Sequence, residues 1–212
     1  MSIVTGLLAD HHYAFQPAAD ASAPPLLLLH GTGGGEHDLI SLGAKLSPGS
    51  ALLSPRGNIS ERGAARFFRR FAEGVFDLDD VRARTDALAE FVRIAAQTHQ
   101  IDLSRLIAIG FSNGANIAAT IMQRQPDVLT GGILLRAMVV LDAPAAPGTL
   151  TGKRVLLASG DHDPLMTADD PRRLARHLRS GGAEVDHHVH DAGHGLVDAD
   201  FSVSQSFLQR LP

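Results

Sequence analysis

Short, continuous apolar runs alternate along the chain with longer segments in which apolar residues recur at helical spacing. Runs of this length that contain so few polar residues are typical of strands covered on both faces. They predict buried strands at residues 26–29, 51–53, 106–109, 138–141 and 155–158. Residues 184–190 predict a further strand, and residues 3–15 an N-terminal edge hairpin.

The longer segments predict helices at residues 79–99, 113–123, 167–180 and 196–211. In the first of them Val81, Leu88 and Val92 share one helical face. In the third, Thr167 followed by Asp170 resembles a capping box. Strands that alternate with helices predict βαβ units, and therefore a mostly parallel sheet that is flanked by helices on both faces.

Composition narrows the class of protein. The chain has 212 residues, 44% of them hydrophobic and 20% charged, so we expect one globular α/β domain over residues 1–212. The net charge of -4 gives no reason to expect nucleic acid or an anionic membrane as a partner. The absence of cysteine excludes disulfides, thiolate catalysis and cysteine-bound metals. The first residues show no signal-peptide pattern, so a cytoplasmic protein is the expectation.

A G-x-S-x-G pentapeptide, Gly110-Phe111-Ser112-Asn113-Gly114, joins the predicted strand at 106–109 to the predicted helix at 113–123. The pentapeptide alone is a weak signal, but this is the context in which a tight turn presents a nucleophilic serine. The positive end of the helix favours negative charge that develops there. We therefore predict Ser112 as the nucleophile. The alternative is an ordinary turn in which Ser112 caps the helix.

The glycine-rich stretch Gly31-Thr32-Gly33-Gly34-Gly35 follows the predicted strand at 26–29. Glycines let backbone N–H groups approach a substrate, and an oxyanion hole needs two such donors. We assign one to the N–H of Thr32, with Gly33 as the close alternative, and the other to the N–H of Asn113. A phosphate-binding loop fits poorly, because no Lys-Ser or Lys-Thr follows and an acidic residue replaces the third glycine of either G-x-G-x-x-G frame. A plain glycine turn remains an alternative.

A serine nucleophile needs a general base, and the base needs a carboxylate that orients it. Asp161 and Asp163 both follow the predicted strand at 155–158, so both would lie on the same rim of the sheet as the serine. We prefer Asp163 because Pro164 fixes the turn behind it, and we interpret Asp161 as a turn-capping residue. His194, between two glycines after the last predicted strand, is the predicted base.

Histidines in and after the last predicted strand suggest a competing hypothesis. On a strand His188 and His190 point to the same face, so that with Asp191 or His194 they could bind a metal ion. No H-E-x-x-H helix or similar spacing supports this hypothesis, and we expect no metal.

The aromatic residues are concentrated between residues 67 and 76. We assign a substrate pocket with an apolar rim to Gly33, Phe67, Phe68, Phe76 and Leu165. The alternative is that some of these phenylalanines pack in the core from a short helix. A membrane-binding face is disfavoured because arginines interrupt the aromatic cluster.

Taken together, these motifs resemble the phospholipase/carboxylesterase family of α/β-hydrolases, and within it the small bacterial carboxylesterases that include hydroquinone-specific hydrolases. The resemblance extends from about Pro25 to the C-terminus. It rests on residues 28–34, 54–58, 67–77, 110–114, 160–164 and 193–195. One departure is Asp142-Ala143-Pro144, where similar proteins carry a more apolar His-Pro turn at the pocket floor.

The resemblance implies an α/β-hydrolase fold with a minimal cap. It also implies a serine carboxylesterase that hydrolyses small carboxylic esters through a Ser-His-Asp acyl-enzyme, with no cofactor. Two alternatives stay open: a thioesterase or lysophospholipase with the same triad, and a non-catalytic binding module on a hydrolase scaffold. The implied partner is a small-molecule ester, with no nucleic acid and no stable membrane association. Exposed apolar edges leave a homodimer open.

Overall fold

The computed structural model describes residues 2–167 and 169–211. The strands, in chain order, are β1 Val4–Leu8, β2 His11–Gln16, β3 Leu26–Leu29, β4 Leu52–Pro55, β5 Ile59–Glu61, β6 Ala64–Arg66, β7 Arg70–Ala72, β8 Val75–Phe76, β9 Ile107–Phe111, β10 Gly131–Leu135, β11 Arg154–Gly160 and β12 Glu184–His190. The helices are α1 Ile40–Leu46, α2 Leu78–His99, α3 Asn113–Arg124, α4 Asp170–Ser180 and α5 Asp198–Gln209. A 3₁₀ turn at Leu103–Arg105 precedes β9.

Eight of these strands form one sheet in the order β1-β2-β4-β3-β9-β10-β11-β12. The six strands from β4 to β12 are parallel to one another, whereas β1 and β2 are antiparallel to their neighbours. The turn between β1 and β2 places Ala9 and Asp10 at positive φ, as a two-residue hairpin turn requires. The predictions of a mostly parallel sheet and of an N-terminal hairpin are confirmed.

Helices cover both faces of the sheet, as predicted, and a separate core fills each interface. On one face α2, α3 and α4 pack against the sheet through residues such as Phe91, Ile117 and Leu178. On the other face α1 and α5 pack through residues such as Ile40 and Phe207. Two covered faces explain why the central strands are almost continuously apolar.

Local contacts define both ends of α2, the longest of the described helices. Asp77 caps α2 by accepting the backbone N–H of Asp80, and Gln100 ends it in the left-handed conformation. The carboxylate of Asp170 accepts both the N–H and the hydroxyl of Thr167, a contact that the capping-box pattern suggests, but α4 starts at Asp170 and not at Thr167 as predicted. Within the described part of the chain, no helix combines the length and the apolar character needed to cross a bilayer.

The prediction of a strand at residues 138–141 is wrong. The strand of this part of the sheet is β10, Gly131–Leu135, which pairs with β9 on one side and β11 on the other. Arg136 has a φ of 58°, which ends the extended backbone directly after β10. Met138, Val140 and Leu141 are buried in irregular structure beyond that point, and the side chain of Asn116 accepts the N–H of Met138.

The segment between β4 and α2 carries two short antiparallel hairpins, β5–β6 and β7–β8. They correspond to the minimal cap that the resemblance implies. The short helix considered for residues 67–76 is not present; this stretch leads into and forms the second hairpin. The α1 helix was not predicted either.

Adjacent glycines at the start of β10 offer a matched stability test. A Cβ on Gly131 would lie 2.4 Å from the backbone oxygen of Arg154, whereas one on Gly132 would meet mainly the terminal Cε of Met122, a side-chain end that can move. We expect Gly131→Ala to lower the free energy of unfolding by about 1–3 kcal/mol or more, and Gly132→Ala to lower it clearly less. Urea unfolding of both variants measures the difference. Equal losses would contradict the close packing of Gly131 against the backbone of Arg154.

Candidate active site

Ser112 occupies the single residue between the end of β9 and the start of α3. Its backbone has φ 51° and ψ -114°, a strained conformation for a residue with a side chain. The N–H of Ser112 donates to the carbonyl of Leu135 at 2.8 Å, which fixes the turn to the end of β10. The strand-to-helix turn predicted from the pentapeptide is therefore present.

The two glycines of the pentapeptide are needed because other backbone lies against them. A Cβ on Gly114 would be 1.9 Å from the carbonyl oxygen of Leu29, at the end of β3. A Cβ on Gly110 would be 2.6 Å from the backbone N of Ala115. Both distances are far below van der Waals contact, so only glycine allows β9 to pass into α3 this tightly.

His194 and Asp163 continue a chain of hydrogen bonds from Ser112. The hydroxyl of Ser112 donates to Nε2 of His194 at 2.9 Å, and Nδ1–H of His194 donates to Oδ2 of Asp163 at 2.7 Å. The Asp163 side chain is 1% exposed, and its other oxygen accepts the N–H of Leu165. The structure thus brings together the three side chains predicted as nucleophile, base and acid.

Asp161, the alternative acid, lies apart from His194. Its Oδ1 accepts the N–H of Ala192 at 3.2 Å, and its side chain is largely exposed. This contact ties the end of β11 to the loop that carries His194, in keeping with the turn-capping interpretation of Asp161.

Thr32 and Asn113, whose backbone N–H groups are the predicted oxyanion donors, both line the cavity beside Ser112. Neither N–H donates to another of the described residues. The N–H of Gly33, the alternative donor, is engaged by the carbonyl of Ala65 at 2.9 Å. Among the described residues, the N–H groups of Thr32 and Asn113 are therefore left without a hydrogen-bond partner, and Asn113 stands at the positive end of the α3 dipole.

Residues 65–67 hold both donor residues in place, a function that we did not predict from the sequence. Besides the Ala65–Gly33 bond, Nη1 of the buried Arg66 donates to Oγ1 of Thr32, and the N–H of Phe67 donates to Oδ1 of Asn113 at 2.8 Å. Three consecutive residues from β6 onward thus contact the loop after β3 and the start of α3. No sequence motif marks this long-range contact.

His30 supports the same loop from beneath. Its Nδ1–H donates to the carbonyl of Gly31 at 2.6 Å, and its Nε2 accepts the N–H of Gly57 at 2.9 Å. Burial lowers the pKa of His30 below its usual value of about 6.5. A neutral imidazole is the form that can donate from one nitrogen and accept at the other.

A cavity of about 230 Å³ opens above Ser112. Phe76 and Leu165, two of the predicted pocket residues, lie in its wall with Met138 and Arg66. The assignment of Phe67, Phe68 and Gly33 to the pocket needs correction. Both phenylalanines are core residues, 3% and 0% exposed, in the cluster that α2, α3 and α4 form with the sheet. Gly33 is turned toward Ala65 and is not part of the cavity wall.

The residue that departs from the family pattern does not form the cavity floor. Asp142 is largely exposed, is paired with Arg173 and is absent from the cavity wall.

Among the described residues, the group whose ligand atoms lie close enough for a metal ion is Asp161, His162 and Asp191, all of them exposed. It is not the His188–His190 set considered from the sequence.

The fold and the turn at Ser112 define an α/β-hydrolase. Comparison with known proteins identifies relatives of the chain within this fold class. The chain is 47% identical over 172 residues to "Putative hydrolase MhqD" of Bacillus subtilis (strain 168). The aligned residues make up 81% of this chain and 86% of that protein. The crystal structure of the Bacillus cereus carboxylesterase is 38% identical, has a TM-score of 0.91 and covers 94% of both chains. A carboxylesterase from Mesorhizobium loti is 32% identical, with a TM-score of 0.89 and coverage of 98% of this chain and 99% of that one.

No family model matches the chain. The similarity to whole proteins nevertheless extends over nearly all of it. The chain belongs to the phospholipase/carboxylesterase family of α/β-hydrolases, and it is a hydrolase of the carboxylesterase type.

The lowered pKa of His30 makes stability depend on pH. Below about pH 6.5 the His30 imidazole takes up a proton more readily in the unfolded chain than in the folded chain. Lowering the pH therefore favours unfolding. We expect the stability advantage of the wild type over His30→Gln, measured by urea unfolding, to shrink as the pH falls from 7.5 to 5. Taking the difference between the two proteins cancels the contributions of the other histidines. An advantage that stays constant or grows toward pH 5 would contradict a neutral, buried His30.

Proposed function

We propose that this hydrolase cleaves small carboxylic esters through a covalent acyl-enzyme on Ser112. The observation that carries the proposal is the hydrogen-bond chain from Ser112 Oγ through His194 to Asp163, with distances of 2.9 and 2.7 Å. A serine hydroxyl is a weak nucleophile alone, and a base within hydrogen-bond reach, itself oriented by a carboxylate, is what activates it.

In the proposed acylation step, Ser112 Oγ attacks the ester carbonyl while His194 Nε2 takes its proton. Asp163 keeps the proton of the neutral imidazole on Nδ1 and stabilises the imidazolium that forms. The carbonyl oxygen becomes an alkoxide, which accepts hydrogen bonds from the N–H groups of Thr32 and Asn113. When the tetrahedral intermediate collapses, His194 protonates the departing alcohol and the acyl group stays on Ser112.

Deacylation repeats the sequence with water as the nucleophile. His194 Nε2 takes a proton from the water as its oxygen attacks the acyl carbon, and the same two backbone donors hold the second oxyanion. Collapse returns the proton to Ser112 Oγ and releases the carboxylic acid. The residues named here complete the cycle without a cofactor.

The dimensions of the cavity support a small substrate. Its volume of about 230 Å³ lies below the roughly 300–1,000 Å³ of common ligand pockets. The wall combines apolar side chains, Phe76, Met138 and Leu165, with the charged Arg66 and Arg70. A short or compact acyl group fits this space better than the long chain of a lysophospholipid.

Covalent labelling tests whether Ser112 is activated. We expect a fluorophosphonate to add once to the wild type, at Ser112 by peptide mapping, and not to Ser112→Ala. The same substitution should lower kcat for 4-nitrophenyl acetate by about 10⁶-fold if the three side chains act as a unit. Circular dichroism and urea unfolding confirm that the variant is folded. An unlabelled, folded wild type, or a loss of only a few-fold in Ser112→Ala, would refute the proposal.

The two aspartates after β11 provide a matched pair for the role of the acid. Asp163→Asn preserves the size of the side chain but removes the charge that orients and stabilises His194, and we expect kcat to fall by about 10⁴-fold. Asp161→Asn keeps an oxygen that can accept the N–H of Ala192, and kcat should stay within a few-fold of the wild type. Steady-state kinetics at pH 8 separates the two. Similar losses in both variants would contradict the assignment of Asp163.

A further inference from the structure

Arg136 is a fully buried cation to which the hydrolysis mechanism assigns no task. It follows β10 directly, has a φ of 58°, and its side chain is 0% exposed. Burying a charge is costly unless it is paired and hydrogen-bonded. The contacts of this guanidinium therefore show what it does.

The first contact is a bidentate ion pair with Asp200 in the first turn of α5. Nη1 and Nη2 of Arg136 each donate to one carboxylate oxygen at 2.8 Å, and the Asp200 side chain is 1% exposed. Asp200 also accepts the N–H of Val197 at 2.8 Å, which fixes the start of α5. The pair thereby joins the end of β10 to the helix that follows the His194 loop.

The remaining donors of Arg136 go to backbone carbonyls, and two of these flank His194. Nε donates to the carbonyl of Gly193 at 3.0 Å, and Nη2 donates to the carbonyl of Gly195 at 2.8 Å. Nη1 also reaches the carbonyl of Ala158 on β11 at 3.3 Å. One planar guanidinium thus hydrogen-bonds to a backbone carbonyl on each side of His194 and connects both to the central sheet.

The two glycines next to His194 have open space on the side where a side chain would stand. A Cβ at Gly195 would find nothing within 4 Å, and one at Gly193 would find only the carbonyl oxygen of His162, at 3.9 Å. Glycine also has more conformational freedom to lose than any other residue. The other backbone hydrogen bonds of this loop among the described residues are made at Ala192, which contacts Asp161 and His162, and at Val197; those that reach Gly193 and Gly195 come from Arg136.

We propose that Arg136 is a positioning residue for the reaction: through the carbonyls of Gly193 and Gly195 it holds the His194 imidazole in line with Ser112 and Asp163. This inference rests on the proposed role of His194 as the base. A guanidinium suits the task because its donors lie in one rigid plane, whereas an ammonium is a point charge on a flexible stem. A displacement of about 1 Å in a catalytic group can cost roughly 10²-fold in rate.

The test uses two variants of the full-length protein. Arg136→Lys keeps the positive charge but loses the planar fork. The double variant Arg136→Met/Asp200→Leu removes both charges together, so that no unpaired charge remains in the core. A matched control, Arg124→Met/Asp86→Leu, removes another arginine–aspartate pair, which joins α3 to α2 at the surface away from the cavity. Urea unfolding identifies the conditions under which each variant is folded.

We expect folded Arg136 variants to lose about 10²-fold in kcat and a similar factor in the rate of fluorophosphonate labelling at Ser112, with KM changed less than three-fold. In ¹H NMR, the low-field resonance of the His194 Nδ1–H should broaden or shift. The double variant at residues 124 and 86 should leave all of these unchanged. If the double variant at residues 136 and 200 does not fold, the same measurements on Arg136→Lys test the proposal.

Folded Arg136 variants that keep the wild-type kcat, labelling rate and Nδ1–H resonance would overturn the positioning role. That outcome differs from failure of the underlying mechanism. If the wild type itself is not labelled at Ser112, the proposed function fails regardless of Arg136. If the wild type is labelled and the variants match it, only the inference about Arg136 fails.

Discussion

The left-handed backbone of Ser112 is the constraint on which the rest of the site depends. A residue held at φ 51° costs on the order of 1–3 kcal/mol, and it persists only because the surroundings leave no alternative. Those surroundings are Gly110 and Gly114, which let β9 and α3 meet at a sharp angle, and the end of β3, which lies against the start of the helix. Because neighbouring parallel strands end on one edge, the same turn faces the loops after β3, β11 and β12.

Two buried arginines stabilise opposite halves of this site. Arg66, on β6, contacts the side chain of Thr32 on the side where an oxyanion would form. Arg136, after β10, contacts the backbone carbonyls that flank His194, on the side where the proposed mechanism would transfer protons. Each uses its rigid fork to connect a glycine-containing loop to regular structure. The glycines allow segments of backbone to approach one another closely. The hydrogen bonds of the two arginines restrain the loops that these glycines would otherwise leave flexible.

The sequence predicted most of the sheet because its strands are apolar on both faces, and it predicted α2 because one helical face is apolar. It did not reveal β10, since Gly131 and Gly132 interrupt the apolar run and the following residues 138–141 are more apolar than the strand itself. The site residues were predictable where glycines or chain order mark them, as at Ser112 and His194. Arg66 and Arg136 were not, because their roles arise from contacts between distant segments.

The hairpin segment 59–76 is one uninterrupted stretch of chain inserted between two parts of the sheet scaffold. It supplies Arg66, Arg70 and Phe76 to the cavity wall, whereas the hydrogen-bonded triplet comes from elements outside it. The three side chains of the hydrogen-bonded triplet are therefore encoded outside this segment, which supplies part of the cavity wall and, through Arg66 and Phe67, contacts to Thr32 and Asn113. Substitutions at Arg70 or Phe76 in this insertion can therefore reshape the cavity while the strands and the Ser112 turn stay intact.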